Sequence, residues 1–135
     1  MKKAVFLLVI FLCFLVISCN EKKSERFKLL TTPIWLTETL LADGVDASGP
    51  GGFLEKFKGE AKFREDMTGS FGKYTGKWKF NVAETELTIF TDSLPLPIIC
   101  DIITLTTQSL HIETVVPDPV HPMETIDISM TFKPR

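Results

Sequence analysis

The sequence is poor in the side chains that do covalent chemistry, with three cysteines, two histidines and one tyrosine in 135 residues. His111 and His121 do not stand in a His-x-x-x-His or Glu-x-x-His spacing, and no Cys-x-x-Cys occurs. No metal site is therefore expected. No serine sits in a Gly-x-Ser-x-Gly elbow, and no glycine loop has phosphate-binding spacing. The glycine-spaced run Met67-Thr68-Gly69-Ser70-Phe71-Gly72 lies between strand-like segments and reads as a hairpin, and the paired acids Glu65-Asp66 fall on a turn. These absences point away from an enzyme and from any cofactor. A strongly basic balance is missing too: the formal charge is −2, so nucleic acid is not an expected partner.

One long apolar run exists, residues 4–17, behind Lys2 and Lys3 and ahead of the small Ser18. Its fourteen residues fall short of the roughly 20 that a bilayer-spanning helix needs. A basic start, a short apolar centre and a small final residue form the secretory pattern, so residues 1–18 are read as a cleaved signal peptide. Their loss takes away two lysines and leaves thirteen basic residues against seventeen acidic, a formal −4. Val16-Ile17-Ser18-Cys19 resembles the lipobox of bacterial lipoproteins: aliphatic, small or aliphatic, small, then cysteine. The resemblance implies cleavage before Cys19, a diacylglyceryl group on its sulfur, and acylation of the new amino terminus. Two or more chains anchor stably, at about 0.8 kcal/mol per buried methylene. The expectation is a protein of the cell envelope, held covalently by lipid to the outer membrane on its periplasmic or surface face. Residues 19–28, the lipidated cysteine and a run of mixed charge without strand or helix period, are read as a flexible tether reaching up to roughly 30 Å. With Cys13 in the leader and Cys19 acylated, Cys100 has no partner for a disulfide. Within Ile98-Ile99-Cys100 it reads as a small buried hydrophobe.

From residue 29 to 135 the apolar period is two. Trp78 and Phe80 alternate with Lys77 and Lys79, and Ile126, Ile128, Met130 and Phe132 alternate with polar residues. Glu86-Leu87-Thr88-Ile89 and Leu110-His111-Ile112-Glu113 are shorter copies. Such alternation marks half-buried antiparallel strands. Eight segments qualify: 34–42, 57–64, 68–72, 76–81, 86–91, 98–105, 109–116 and 124–132. Eight sequential strands with one apolar face close into an up-and-down barrel; a two-sheet sandwich is the alternative. The chain also resembles the lipocalin-like domain of small bacterial lipoproteins. The residues concerned are Leu29-Leu30 with Trp35, Phe63 to Gly69, Gly76-Lys77-Trp78, and Leu105-Thr106 ahead of Leu110-His111-Ile112. It departs from that pattern at Pro33, where lipocalins carry Gly-x-Trp at the first strand. The resemblance implies a small cup-shaped barrel.

Up-and-down connectivity sorts the loops. Residues 43–52, 92–97 and 117–123, long and rich in proline or glycine, share one end, and the short loops share the other. The tether enters from the short-loop end, so the irregular rim is the expected working surface. Trp35, Phe63, Phe71 and Tyr74, together with Trp78 and Phe80, either line an apolar ligand cavity or simply fill the barrel. His121, in the rim loop, is a candidate contact; His111 should point outward as a solvated strand residue. Asp43, Asp46, Asp92 and Asp118 gather at the rim, where calcium binding competes with the commoner role of aspartate in turns. Two functions follow as expectations. One is a tethered, non-catalytic barrel binding a small apolar or amphipathic ligand. The other is an interaction module with a filled core, recognising an envelope protein or glycan through its rim.

Overall fold

The computed structural model describes residues 22–135; the signal peptide, Cys19 and the first tether residues lie outside them. Strand β1 (Trp35–Ala42) turns through Asp43-Gly44 into a two-residue β2 (Val45–Asp46). Then follow β3 (Glu60–Phe63), β4 (Thr68–Phe71), β5 (Tyr74–Phe80), β6 (Glu86–Thr91), β7 (Ile98–Leu105), β8 (Leu110–Pro117) and β9 (Thr125–Pro134). Strands β3 to β9 each pair antiparallel with the next, and β1 pairs with both β3 and β9. The β1–β9 ladder runs from Trp35↔Pro134 to Ala42↔Ile128. That closure removes the free edges and rules out the sandwich. Eight strands make the barrel, and β2 is an ear on the end of β1.

The pattern along each strand matches the alternation in the sequence. Leu87 and Ile89, Leu110 and Ile112, and Ile128, Met130 and Phe132 all point into the buried core. Every core residue falls between Leu30 and Phe132. Two expectations change. The strand expected at 57–64 is reduced to Glu60–Phe63, because a 3-10 turn occupies Glu55–Phe57 and Gly59 sits at φ +120°, a conformation outside any strand. The hairpin at β1–β2 arises because Asp43 and Gly44 both take positive φ, 50° and 78°, the geometry of a tight strand reversal.

The larger correction concerns the tether. Residues Glu25–Thr31 form a helix, α1, so Glu25 to Lys28 belong to the folded domain rather than to a flexible spacer. Ser24 caps it, its hydroxyl accepting from the Phe27 amide at 3.0 Å. At the other end Lys62 Nζ donates to the carbonyls of Thr31 (2.6 Å), Thr32 and Pro33 (both 3.2 Å), placing a cation where the helix dipole is negative. Leu30 is fully buried, and its carbonyl accepts from the Trp35 indole at 3.0 Å. Ser24 and Arg26 also bond Glu84 in the β5–β6 turn. Helix α1 therefore lies across the short-loop end of the barrel and shuts it. Among the described residues, no helix is long and apolar enough to cross a membrane.

Charge is divided around the wall. No lysine or arginine stands between Lys79 and Lys133, whereas eight acids do, so β6 to β8 carry no formal cation. On their outer face Asp101 is directly opposite both Glu86 and Glu113.

Candidate functional site

The barrel has a filled end and a hollow end. Below its middle, Phe63, Phe71, Ile89, Ile112 and Phe132 leave a residual void of about 10 Å³, room for no more than a single water. The aromatic rings there interlock: Phe63 lies 5.2 Å from Phe71 and edge-on to Trp78 at 5.8 Å, and Trp78 meets Phe80 at 5.4 Å. Phe27 of α1 closes over Trp78 at 5.6 Å, and the Trp78 indole donates to the Arg64 carbonyl in the β3–β4 turn.

At the other end lies a cup of about 690 Å³, within the range of small-molecule sites. The β1–β3 connection contributes Phe53, Leu54 and Phe57, and β5 contributes Tyr74. The β6–β7 loop lends Leu94-Pro95-Leu96-Pro97 and runs on into Ile98, and β8 adds Val116 and Pro117. Ile128 and Met130 form the floor. A trough of about 790 Å³ also runs along the outer wall beside Lys77, Lys79 and Phe90. It lies on the convex face, open to water along its length, whereas the cup is walled partly by strands and partly by the rim loops, and opens between those loops.

Local sequence explains why the rim stands up. Leu54 is held inward by its amide donating to the Ala47 carbonyl at 2.9 Å. Phe57 stacks on Tyr74 at 4.7 Å. The β8–β9 loop is organised by Asp118, whose Oδ1 accepts from the amides of Val120 (2.8 Å) and His121 (3.3 Å). The Val120 amide, more than the neighbouring His121, holds the Asp118 carboxyl below its ordinary value. Asp46 accepts in the same way from the hydroxyl and amide of Ser48, which lower its pKa too. Asp43 accepts from the Asp127 amide at 2.8 Å. Asp46 and Asp118 thus do the work of turns, and Asp43 ties its hairpin to β9.

The seven candidate residues separate cleanly. Tyr74 alone lines the cup. Phe63 and Phe71 border the small void beneath it. Trp35, Trp78 and Phe80 belong to the shut end, where they pack against the barrel base and α1. Trp35 is completely buried at the base, its indole on the Leu30 carbonyl, although the chain departs from the lipocalin pattern at Pro33. His121 stands on the rim, outside the cup, with its ring 3.3 Å from Asp118. There one ligand atom each from Asp118, His121 and Glu124 falls within 4.8 Å of the others. The sequence carries this set as Asp-x-x-His-x-x-Glu, a spacing that the search for paired histidines passes over. His111 lies on the outer face as expected, bonded to Ser129 at 2.9 Å and 3.2 Å from Glu113.

Loops 43–52 and 117–123 do share one end: the Asp43 amide donates to Asp127 at 2.8 Å, beside the Ala42↔Ile128 pair. No protein-family model matches the chain, and no curated protein sequence does. Solved structures do. Bovine odorant binding protein in complex with a selenium-containing odorant superposes with a TM-score of 0.52 at 15% identity, over 87% of this chain and 78% of that one. The same bovine protein with its natural ligand gives 0.53 at 16%, over 86% and 77%. The fold is lipocalin-like. Helix α1 across a filled base, eight antiparallel strands in sequential order and a loop-rimmed mouth are the lipocalin-like arrangement, and identity at this level speaks for the fold alone.

Proposed function

We propose that this protein is a non-catalytic binding protein that carries a small apolar or amphipathic molecule in its cup. The observation that carries the reading is the cup itself, about 690 Å³ of space walled by aliphatic and aromatic side chains at the loop end of a closed barrel. The two bovine structures, complexes with an odorant and with a natural ligand, support it by analogy of fold. Residues 1–18 are the export signal in this proposal, and lipid on Cys19 holds the chain at the outer membrane. Residues 22–31 lie at the shut end, so an anchor there would turn the mouth away from the bilayer.

Trp35 and Trp78 lie beneath the filled layer, so a reporter on the ligand side is required. The chain from Asn20 onward, which contains every element of the barrel, is titrated with N-phenyl-1-naphthylamine. Saturable fluorescence enhancement at one site per chain is expected. A linear, unsaturable response would defeat the proposal. The anchor has its own test: labelled palmitate is incorporated by the full chain and not by Cys19→Ala.

A second reading has one observation in its favour. Phe53, Leu96, Val120 and Met123, from three different loops, are exposed around the mouth, more apolar surface than solvated loops need. A rim recognising an envelope protein or glycan would use them, and Val120→Asp with Met123→Asp would then abolish capture while leaving probe binding intact.

A further inference from the structure

We infer that the cup selects uncharged ligands and rejects carboxylates and ammonium ions of the same carbon skeleton. The inference rests on the cup being the ligand site. Among the described residues, no carboxylate, amine, guanidinium or imidazole lines it. An ion carried into that lining would lose its water and find no countercharge, a cost of several kcal/mol at the least. Only two lining residues, Tyr74 and Thr114, have a side-chain hydroxyl. The Thr114 hydroxyl is already spent on the Ile99 carbonyl at 2.7 Å. Tyr74 remains as the side chain able to meet one hydroxyl or carbonyl of a guest.

The mouth offers an ion no better reception. Lysines near it, Lys56, Lys58 and Lys73, are exposed and stay outside the cup, where a solvated pair is worth at most about 1 kcal/mol. They are confined to the arc between β1 and β5. The arc from β6 to β9 contributes no lysine or arginine before Lys133, at the shut end, and adds Asp92, Asp118 and Glu124 to the rim loops. That negative arc opposes a carboxylate. An ammonium gains little from it, because Asp118 is occupied by the amides of its own loop and Asp92 and Glu124 are exposed to water, where a pair is worth at most about 1 kcal/mol.

The test is displacement of bound N-phenyl-1-naphthylamine by dodecanol, dodecanoate and dodecylammonium at neutral pH, each below its aggregation concentration. Dodecanol is expected to displace the probe at least tenfold more tightly than either ion. Tyr74→Phe should weaken dodecanol several-fold and leave dodecane unchanged. An ion binding within tenfold of the alcohol overturns the inference while the cup stands as a ligand site. If the probe itself does not bind, the reading of the cup falls, and the inference with it.

Discussion

Cys100 shows how a single residue takes its properties from its place in the wall. It points inward from β7, opposite Leu87 on β6, and is completely buried. Burial, with a smaller contribution from the adjacent Asp101 carboxylate, pushes its thiol up to about 12. The folded state therefore resists ionising this group. That part of the stability is complete below the ordinary thiol value near 9 and is lost as pH rises from there through about 12. Denaturant midpoints measured across that range should fall more steeply for the native chain than for Cys100→Ala. In the chain from Asn20 onward, where Cys100 is the one cysteine, Ellman's reagent should find no reactive thiol at neutral pH until the chain unfolds. Gly76 is constrained in the opposite sense, by what is too near. A methyl group on it would lie 1.7 Å from the Phe90 carbonyl oxygen, because β5 and β6 draw together at the Gly76↔Thr91 pair. Gly76→Ala should cost about 2 kcal/mol or more in equilibrium unfolding, since the obstacle is main chain and has to move bodily.

Helix α1 shows why an element can be present and yet invisible in sequence. Seven residues are too few to be stable alone and too few for a helical period to register. What holds α1 is tertiary: the Lys62 ammonium across its last carbonyls, the Trp35 indole on Leu30, and Phe27 against Trp78. The local signals are few: Ser24 at the N-cap, Glu25 in the first turn and Lys28 in the last, with the capping box incomplete because Phe27 stands where a Glu or Gln would complete it. Ser24→Ala should cost about 1 kcal/mol, read as a shift in the denaturant midpoint. Strands were legible for the converse reason: one face of each is buried, so the two-residue period is written along its whole length. The cup was harder to read. Alternation says which side chains turn inward but not how deep along the axis they sit, and bulk does not mark a lining residue. Trp78 and Phe80 come late in β5, toward the short loops, whereas Tyr74 starts the same strand at the long-loop end. Strand position together with the loop sorting separates them. The lining that matters comes instead from loop aliphatics and prolines, Leu54, Leu94 and Pro97 among them, which have no period to announce them.

At the scale of the whole molecule, the same closed sheet makes two unlike ends. The base spends the large aromatics on stability, and the mouth leaves space that smaller side chains do not fill. A pair of substitutions separates the two. Val116 is partly buried and lines the cup from β8. Val116→Trp places a large ring in open space, so probe affinity should fall more than tenfold while stability changes by less than about 1 kcal/mol. Phe63, almost completely buried between Phe71 and Trp78, is the opposite case. Phe63→Ala should cost about 3–5 kcal/mol and leave the affinity of the folded fraction intact, because the residue it removes lies below the cup floor. Probe titration and urea unfolding on both variants read the two effects independently. Loss of binding in folded Phe63→Ala would mean that guests reach the aromatic base, and the division into a structural end and a binding end would not hold.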